Sequence, residues 1–173
     1  MKTIAGVLLI AATLLTALAT PRMRAKDAAP TLVGGEWING NGQPFKGRIT
    51  ILHFWTFGCI NCRHNLPYVA KWAAKYDPKE VQVVGIHTPE LDFEKDPKNV
   101  EDAVKRLGIQ YPMLIDAKGE NWNRYHVEAW PTVVVIDKQG RVRETWVGEL
   151  QWNGQDGFGE ISRKIERLRQ EKG

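Results

Sequence analysis

Apolar positions along the chain follow two periods, and the alternation between them predicts an order of elements. Ile49 to Trp55 is a continuous apolar and β-branched run broken only by Thr50 and His53, the pattern of a strand buried on both faces. Cys62, Leu66, Val69, Ala73 and Tyr76 then recur at helical spacing, so one face of Cys59 to Tyr76 can pack on a sheet. Pro67 falls inside that helix, where it removes a backbone hydrogen bond and predicts a kink. Val81 to His87 is a second buried strand. Pro89 to Asn99 is polar and reads as a loop, and Val100, Val104 and Leu107 mark a helix stopped by Gly108. Pro112 to Ile115 is a short strand and Asn121 to His126 a helical turn. Thr132 to Asp137 and Val142 to Val147 flank Lys138-Gln139-Gly140 as a hairpin, and Ile161, Ile165 and Leu168 predict a last amphipathic helix. Alternating strands and helices followed by a hairpin imply an α/β domain with a mixed central sheet and helices on both faces.

The amino-terminal part follows other rules. Lys2 precedes a charge-free apolar run from Ile4 to Ala19 that ends in Ala17-Leu18-Ala19, which predicts an export signal over 1–19, with an uncleaved anchor as the alternative. The run falls short of the roughly 20 residues that comfortably span a bilayer. Residues 20–31 read as a linker, and the folded domain is expected over 32–173. Gly34-Gly35, Asn39 to Gly42 and Gly47 punctuate short extended pieces around Trp37 and Ile38, which predicts a small amino-terminal hairpin.

At 173 residues there is room for one ordinary core, and the net charge of +4 is spread along the chain rather than gathered in a basic stripe, so no nucleic-acid partner is expected. Cysteine usage changes the picture more. An exported protein meets an oxidising compartment, yet only two cysteines are present, three positions apart, and closing so short a loop contributes little stability. Reactivity explains the pair better than stapling.

Cys59-Ile60-Asn61-Cys62 falls where a buried strand turns into a helix. The helix dipole and free backbone N–H groups favour a thiolate there, so Cys59 is expected to have a depressed pKa and to attack, while Cys62, one turn later on the core face, resolves the mixed disulfide. A zinc site would need more ligands. No second cysteine pair exists, and His64, two residues after Cys62 on a helix, points elsewhere. No metal or cofactor is therefore called for. Trp130-Pro131-Thr132 precedes a strand that Pro131 cannot join as a donor; a cis peptide there would expose the Trp130 backbone to an extended substrate segment.

With these residues in view, the chain resembles the thioredoxin superfamily, specifically its exported TlpA/ResA-like branch and the soluble domain of DipZ-type membrane proteins. The likeness rests on Ile51-Leu52-His53-Phe54-Trp55-Thr56-Phe57-Gly58-Cys59-Ile60-Asn61-Cys62, on Trp130-Pro131-Thr132, and on Gly85-Ile86-His87-Thr88-Pro89-Glu90 with Phe93-Glu94, and it covers Leu32 to the carboxyl terminus. It implies a thioredoxin fold with an amino-terminal hairpin and a central insertion, dithiol-disulfide exchange with protein substrates, a monomer, and a cis-Pro131. It also implies that Glu90 assists proton transfer at the cysteines, against the alternative of a solvated loop carboxylate. Many thioredoxins carry a buried acid six residues before the first cysteine, where this chain has His53. His53 shares a strand face with Trp55 and could exchange a proton with Cys62, or be a core histidine satisfied by hydrogen bonds. Trp55 and Trp130 are expected to flank the cysteines and shape an apolar docking surface, with Ile60 and Asn61 between the cysteines tuning the reduction potential.

The function that follows is an exported, periplasmic or otherwise extracytoplasmic reductase of protein disulfides, for instance in cytochrome c maturation, recharged by a membrane electron donor. A disulfide oxidase or isomerase would use the same residues in the opposite direction. A copper-handling thiol protein and a thiol peroxidase are further alternatives. The second is suggested by Thr56 three residues before Cys59 and weakened by Leu52 where peroxiredoxins carry proline.

Overall fold

The computed structural model describes residues 25–42 and 45–171; the expected export signal and residues 20–24 of the expected linker lie outside them. Six strands form one mixed sheet: β1 (Glu36–Ile38), β2 (Ile49–Trp55), β3 (Val81–His87), β4 (Met113–Ile115), β5 (Thr132–Ile136) and β6 (Val142–Val147), in the order β1-β4-β3-β2-β5-β6. β2, β3 and β4 are parallel, and β5 runs antiparallel to β2 and to β6. Four helices, α1 (Ile60–Lys75), α2 (Pro97–Arg106), α3 (Glu120–Arg124) and α4 (Gly157–Gln170), cover the sheet, and a two-stranded ribbon of β7 (Gln151–Trp152) and β8 (Gln155–Asp156) precedes α4.

Strand alternation divides the apolar residues between the two faces. Ile49, Ile51 and Trp55 of β2 pack with Cys62, Leu66 and Val69 of α1, Val100 and Val104 of α2, and Ile161 and Ile165 of α4. Leu52 and Phe54 turn the other way, against Leu32, Phe45, Tyr125 and Val127. All seven residues of β2 are buried, because the strand has a neighbour on each side and helical or loop cover on both faces. The helix expected over Cys59 to Tyr76 is α1, with Pro67 on its exposed side and with Asn65 and Trp72 joining the buried face.

Two expectations about the amino-terminal part are corrected. Among the described residues no hairpin forms around Trp37: β1 pairs antiparallel with β4 and so covers what would otherwise be an open sheet edge. Gly35 permits this approach, since a Cβ there would lie 2.3 Å from the Ile115 carbonyl oxygen, and Asn39 Nδ2 donates to Ile109 O at 2.8 Å. The described end of the expected linker is also paired. Lys26 N donates to Val142 O and Ala29 N to Gly140 O, so the fold is engaged ahead of Leu32.

The polar stretch from Pro89 to Asn99 is not a plain loop. It contains a 3-10 turn over Asp92–Glu94 and the start of α2, where Asp96 caps the helix by accepting from Lys98 N at 2.9 Å and Pro97 supplies the first turn.

Asn121 of α3 is the buried pin between the amino-terminal segment and the body. Its Oδ1 accepts from Val33 N at 2.9 Å, and its Nδ2 donates to Val33 O at 2.9 Å and Asp116 Oδ1 at 3.1 Å. Asn121→Ala is expected to lower unfolding free energy by about 2–3 kcal/mol, because it strands buried donors and acceptors. Urea titration checks this; a loss of under about 0.5 kcal/mol would show that the pin is dispensable.

Candidate functional site

The site is assembled where β2 ends and α1 begins. Cys59 is the N-cap of α1 with extended backbone (φ −75°, ψ 119°), and its carbonyl accepts from Arg63 N at 3.2 Å. Its thiol is half-buried, at the helix end where N–H groups are free. Cys62 is fully buried; both thiols are free. Burial pushes the Cys62 thiol up, a hydrogen bond from the Thr56 backbone offsets part of this, and the hydrogen bond and charge of Cys59 and the charge of Glu90 push it further. Cys62 is therefore held as a protonated thiol at neutral pH, behind a partner that solvent reaches.

Beneath the turn lies a polar node that sequence reasoning missed. Glu94 has no exposed surface, yet its carboxylate accepts four hydrogen bonds. Oε1 takes Thr56 Oγ1 (2.5 Å) and Gly58 N (2.8 Å), and Oε2 takes Glu90 N and Leu91 N (2.8 Å each). Burial alone would raise its pKa; the bonds from Thr56, Leu91, Glu90 and Gly58 outweigh that and hold it below the ordinary carboxylate range. Because the Thr56 hydroxyl donates to Glu94, the His87 ring 3.3 Å away must donate to Thr56 through Nε2–H. His87 is buried, stacks on Phe57 and meets Trp55 edge-on, and burial pushes its pKa down to about 4, against a smaller upward pull from Glu94. A Cβ on Gly58 would stand 2.5 Å from Glu94 Oε1, so any larger residue there would push the carboxylate off its donors. The S/T-x-x-E spacing that would have flagged a buried Glu94 has Leu91 at its first position, which hid the turn.

The third component comes from β5. The Trp130-Pro131 peptide is cis. Phe54 pairs with Thr132, so Pro131 lies level with Trp55, at the sheet end that carries Cys59. Pro131 O accepts from Gly148 N at 2.8 Å, and Asn65 of α1 pins the same loop by donating to Gly148 O and accepting from Leu150 N. Trp130 Nε1 donates to Thr88 O at 3.0 Å and its ring packs 4.1 Å from Trp122, which ties the proline loop to the segment that leads to Glu94.

The sequence candidates separate accordingly. Cys59, Cys62, Pro131, Trp130 and Glu90 are brought to one end of the sheet; Glu90 is exposed, and its charge reaches Cys62. Ile60 and Asn61 are exposed between the cysteines. Trp55 is not part of any docking surface: it is fully buried, and its Nε1 donates to Met113 Sδ at 3.0 Å. His53 is neither bonded to a cysteine nor satisfied as a core histidine. It is buried, its ring neighbour is Trp55, and neither ring nitrogen has a hydrogen-bond partner among the described residues. Burial pushes its pKa down to about 3, so the ring is neutral.

A dithiol of this geometry on this fold defines a thioredoxin-like protein. The chain belongs to the AhpC/TSA family, which it matches over residues 22–145. It is similar to Protein DipZ of Mycobacterium bovis, 36% identical over 132 residues, which is 72% of this chain but only 19% of the length of that protein. It is also similar to sporulation thiol-disulfide oxidoreductase A of Bacillus subtilis, 31% identical over 62% of this chain and 64% of that one. Among solved structures, the thioredoxin-like superfamily protein SPOA0173 superposes with a TM-score of 0.74 over 87% of this chain and 99% of its own, at 21% identity, which speaks to the fold.

Two predictions follow from the buried groups. Each Glu94 oxygen already takes two donors, so in Glu94→Gln the amide nitrogen must face one pair of them. The variant is expected to lose about 2–3 kcal/mol and to speed amide exchange at Gly58, Glu90 and Leu91 more than tenfold; native-like protection at those amides would remove Glu94 from its place in the site. The two depressed imidazoles set an acid limit. Their stabilisation is complete above pH 6.5 and is lost as pH falls toward about 4 for His87 and about 3 for His53, at up to about 1.4 kcal/mol per pH unit each. Unfolding free energy measured from pH 7 to pH 4.5 should therefore fall, with a shallower slope in His53→Leu; parallel slopes would mean that His53 is not held neutral.

Proposed function

We propose that the protein is an exported reductase that exchanges its Cys59–Cys62 dithiol with disulfides in protein substrates. The observation that supports the exchange chemistry, though not its direction, is the asymmetry of the pair: a reachable Cys59 at a helix N-terminus, and a Cys62 kept buried and protonated one turn behind it. Cys59 as thiolate attacks one sulfur of the substrate disulfide, forming a mixed disulfide and releasing the other sulfur as a thiolate. Cys62 then loses its proton and attacks Cys59 Sγ. A Cys59–Cys62 disulfide forms, the second substrate thiolate leaves, and the substrate has gained two electrons. Glu90, whose charge reaches Cys62, is the group that receives the Cys62 proton, and the Trp130-Pro131 backbone aligns the substrate segment beside Cys59. A membrane electron donor restores the dithiol, and attachment cysteines of a c-type cytochrome are a fitting substrate. The name of the similar sporulation thiol-disulfide oxidoreductase A supports the chemistry.

In Cys62→Ser the second step cannot occur, so mixed disulfides on Cys59 should accumulate and be identifiable by mass spectrometry from the native compartment, while Cys59→Ser traps nothing. An empty Cys62→Ser trap would count against protein substrates. Direction is read by titration against glutathione: a midpoint well below that of the glutathione pool is expected, and a high midpoint would make the protein an oxidase.

A further inference from the structure

Five large apolar side chains stay in water among the described residues, and three of them lie on segments that meet at the Cys59 turn. Ile60, Leu91 and Phe93 are 53%, 52% and 53% exposed. Ile60 follows Cys59 directly. Phe93 Cζ lies 3.9 Å from where a Gly58 Cβ would be, and its ring rests 5.6 Å from that of Phe57. Leu91 is tied in by its own N–H on Glu94 Oε2, whose other oxygen holds Gly58 N. Of the other two exposed apolar residues, Val147 stands across the site, since Gly148 beside it binds the Pro131 carbonyl, and Trp152 lies on the β7–β8 ribbon.

The polar surroundings narrow what this surface can take. Asp92, between Leu91 and Phe93, is paired with Lys95 at 2.7 Å, so it contributes little net charge. Glu90 precedes Leu91, is exposed, and acts on Cys62. An apolar lip with a carboxylate at its edge attracts an apolar side chain and repels an acidic one. The lip is also preorganised, because the Glu94 carboxylate fixes the Leu91 backbone relative to the Cys59 turn before anything binds.

Building on the exchange reaction proposed above, we infer that Ile60, Leu91 and Phe93 form a specificity subsite for an extended protein segment that carries an apolar side chain beside the cysteine attacked by Cys59. A segment laid along the Trp130-Pro131 backbone with its sulfur at Cys59 places its next side chain against this lip. Glutathione, small and acidic, has nothing to fill it.

The test uses the exported form of the protein and three disulfide-linked peptides that differ only in the residue next to cysteine: Leu, Ser or Glu. The native protein should favour the Leu peptide over the Ser peptide about tenfold in kcat/KM, mostly through KM, with the Glu peptide poorest; one well-placed apolar group carries this order of discrimination. In Leu91→Ser and in the Leu91→Ser, Phe93→Ser double variant, the Leu-to-Ser ratio should drop toward one. That ratio is internal to each preparation, so a partial folding defect does not alter it. Equal rates for the Leu and Ser peptides in the native protein, or an unchanged ratio in the variants, would overturn the subsite while leaving the exchange chemistry standing. Failure of the native protein to reduce even hydroxyethyl disulfide would overturn the exchange reading itself, and the subsite with it.

Discussion

The Glu94 carboxylate joins two segments that are remote in sequence. One oxygen holds the end of β2 and the turn into α1 through Thr56 and Gly58, and the other holds the segment after β3 through Glu90 and Leu91. A buried carboxylate is costly unless its lone pairs are met, and no cation is paired with Glu94 among the described residues, so the four neutral donors carry the compensation. Loss of any one leaves the charge less satisfied, which couples the position of the redox turn to that of the insertion. The same coupling extends to the proline loop, because Trp130 donates to Thr88 O and Thr88 N donates to Trp55 O.

The sheet explains why these pieces meet at one end. β2 and β3 are parallel neighbours, so the turn after Trp55 and the turn after His87 leave the sheet on the same side. β5 runs antiparallel to β2, so its entry, Trp130-Pro131, lies at that side as well. The cysteine pair after β2, the Glu94 clamp after β3 and the cis-proline turn before β5 therefore meet without any long connection. The apolar runs that bury β2 on both faces thereby fix the floor of the site, with Trp55 and His53 in that floor rather than at its surface.

Continuous apolar runs and helical repeats were legible in the sequence because burial of whole elements dictates them: β2, β3, the β5–β6 hairpin, α1 and α4 all fall where periodicity places them. The cysteine pair was legible because two cysteines three apart have few other uses. What periodicity does not encode is which polar residue is drawn inward. Asn65, Asn121 and Glu94 are all fully buried, and each sits in a stretch whose apolar pattern is satisfied without it. Their burial is set by backbone groups of distant segments, Leu150 for Asn65, Val33 for Asn121 and Gly58 for Glu94. β1 failed for the same reason, since its partner β4 is remote in sequence and no local turn specifies the pairing.

Thr56 shows how one such contact redirects a chemical reading. Three residues before a reactive cysteine, a threonine hydroxyl can serve a peroxide bound there only if it faces the cysteine. Here the hydroxyl has no exposed surface, donates to Glu94 and lies 3.3 Å from the His87 ring, so its proton and a lone pair are both committed. Freeing it would leave one Glu94 oxygen short of a donor and the His87 Nε2–H without an acceptor, a cost of about 1–3 kcal/mol for each group. What reaches Cys62 from Thr56 is instead its backbone, which offsets part of the effect of burial on that thiol. The threonine that suggested peroxide chemistry thus belongs to the clamp, where its hydroxyl serves Glu94 and only its backbone acts on the buried Cys62 thiol.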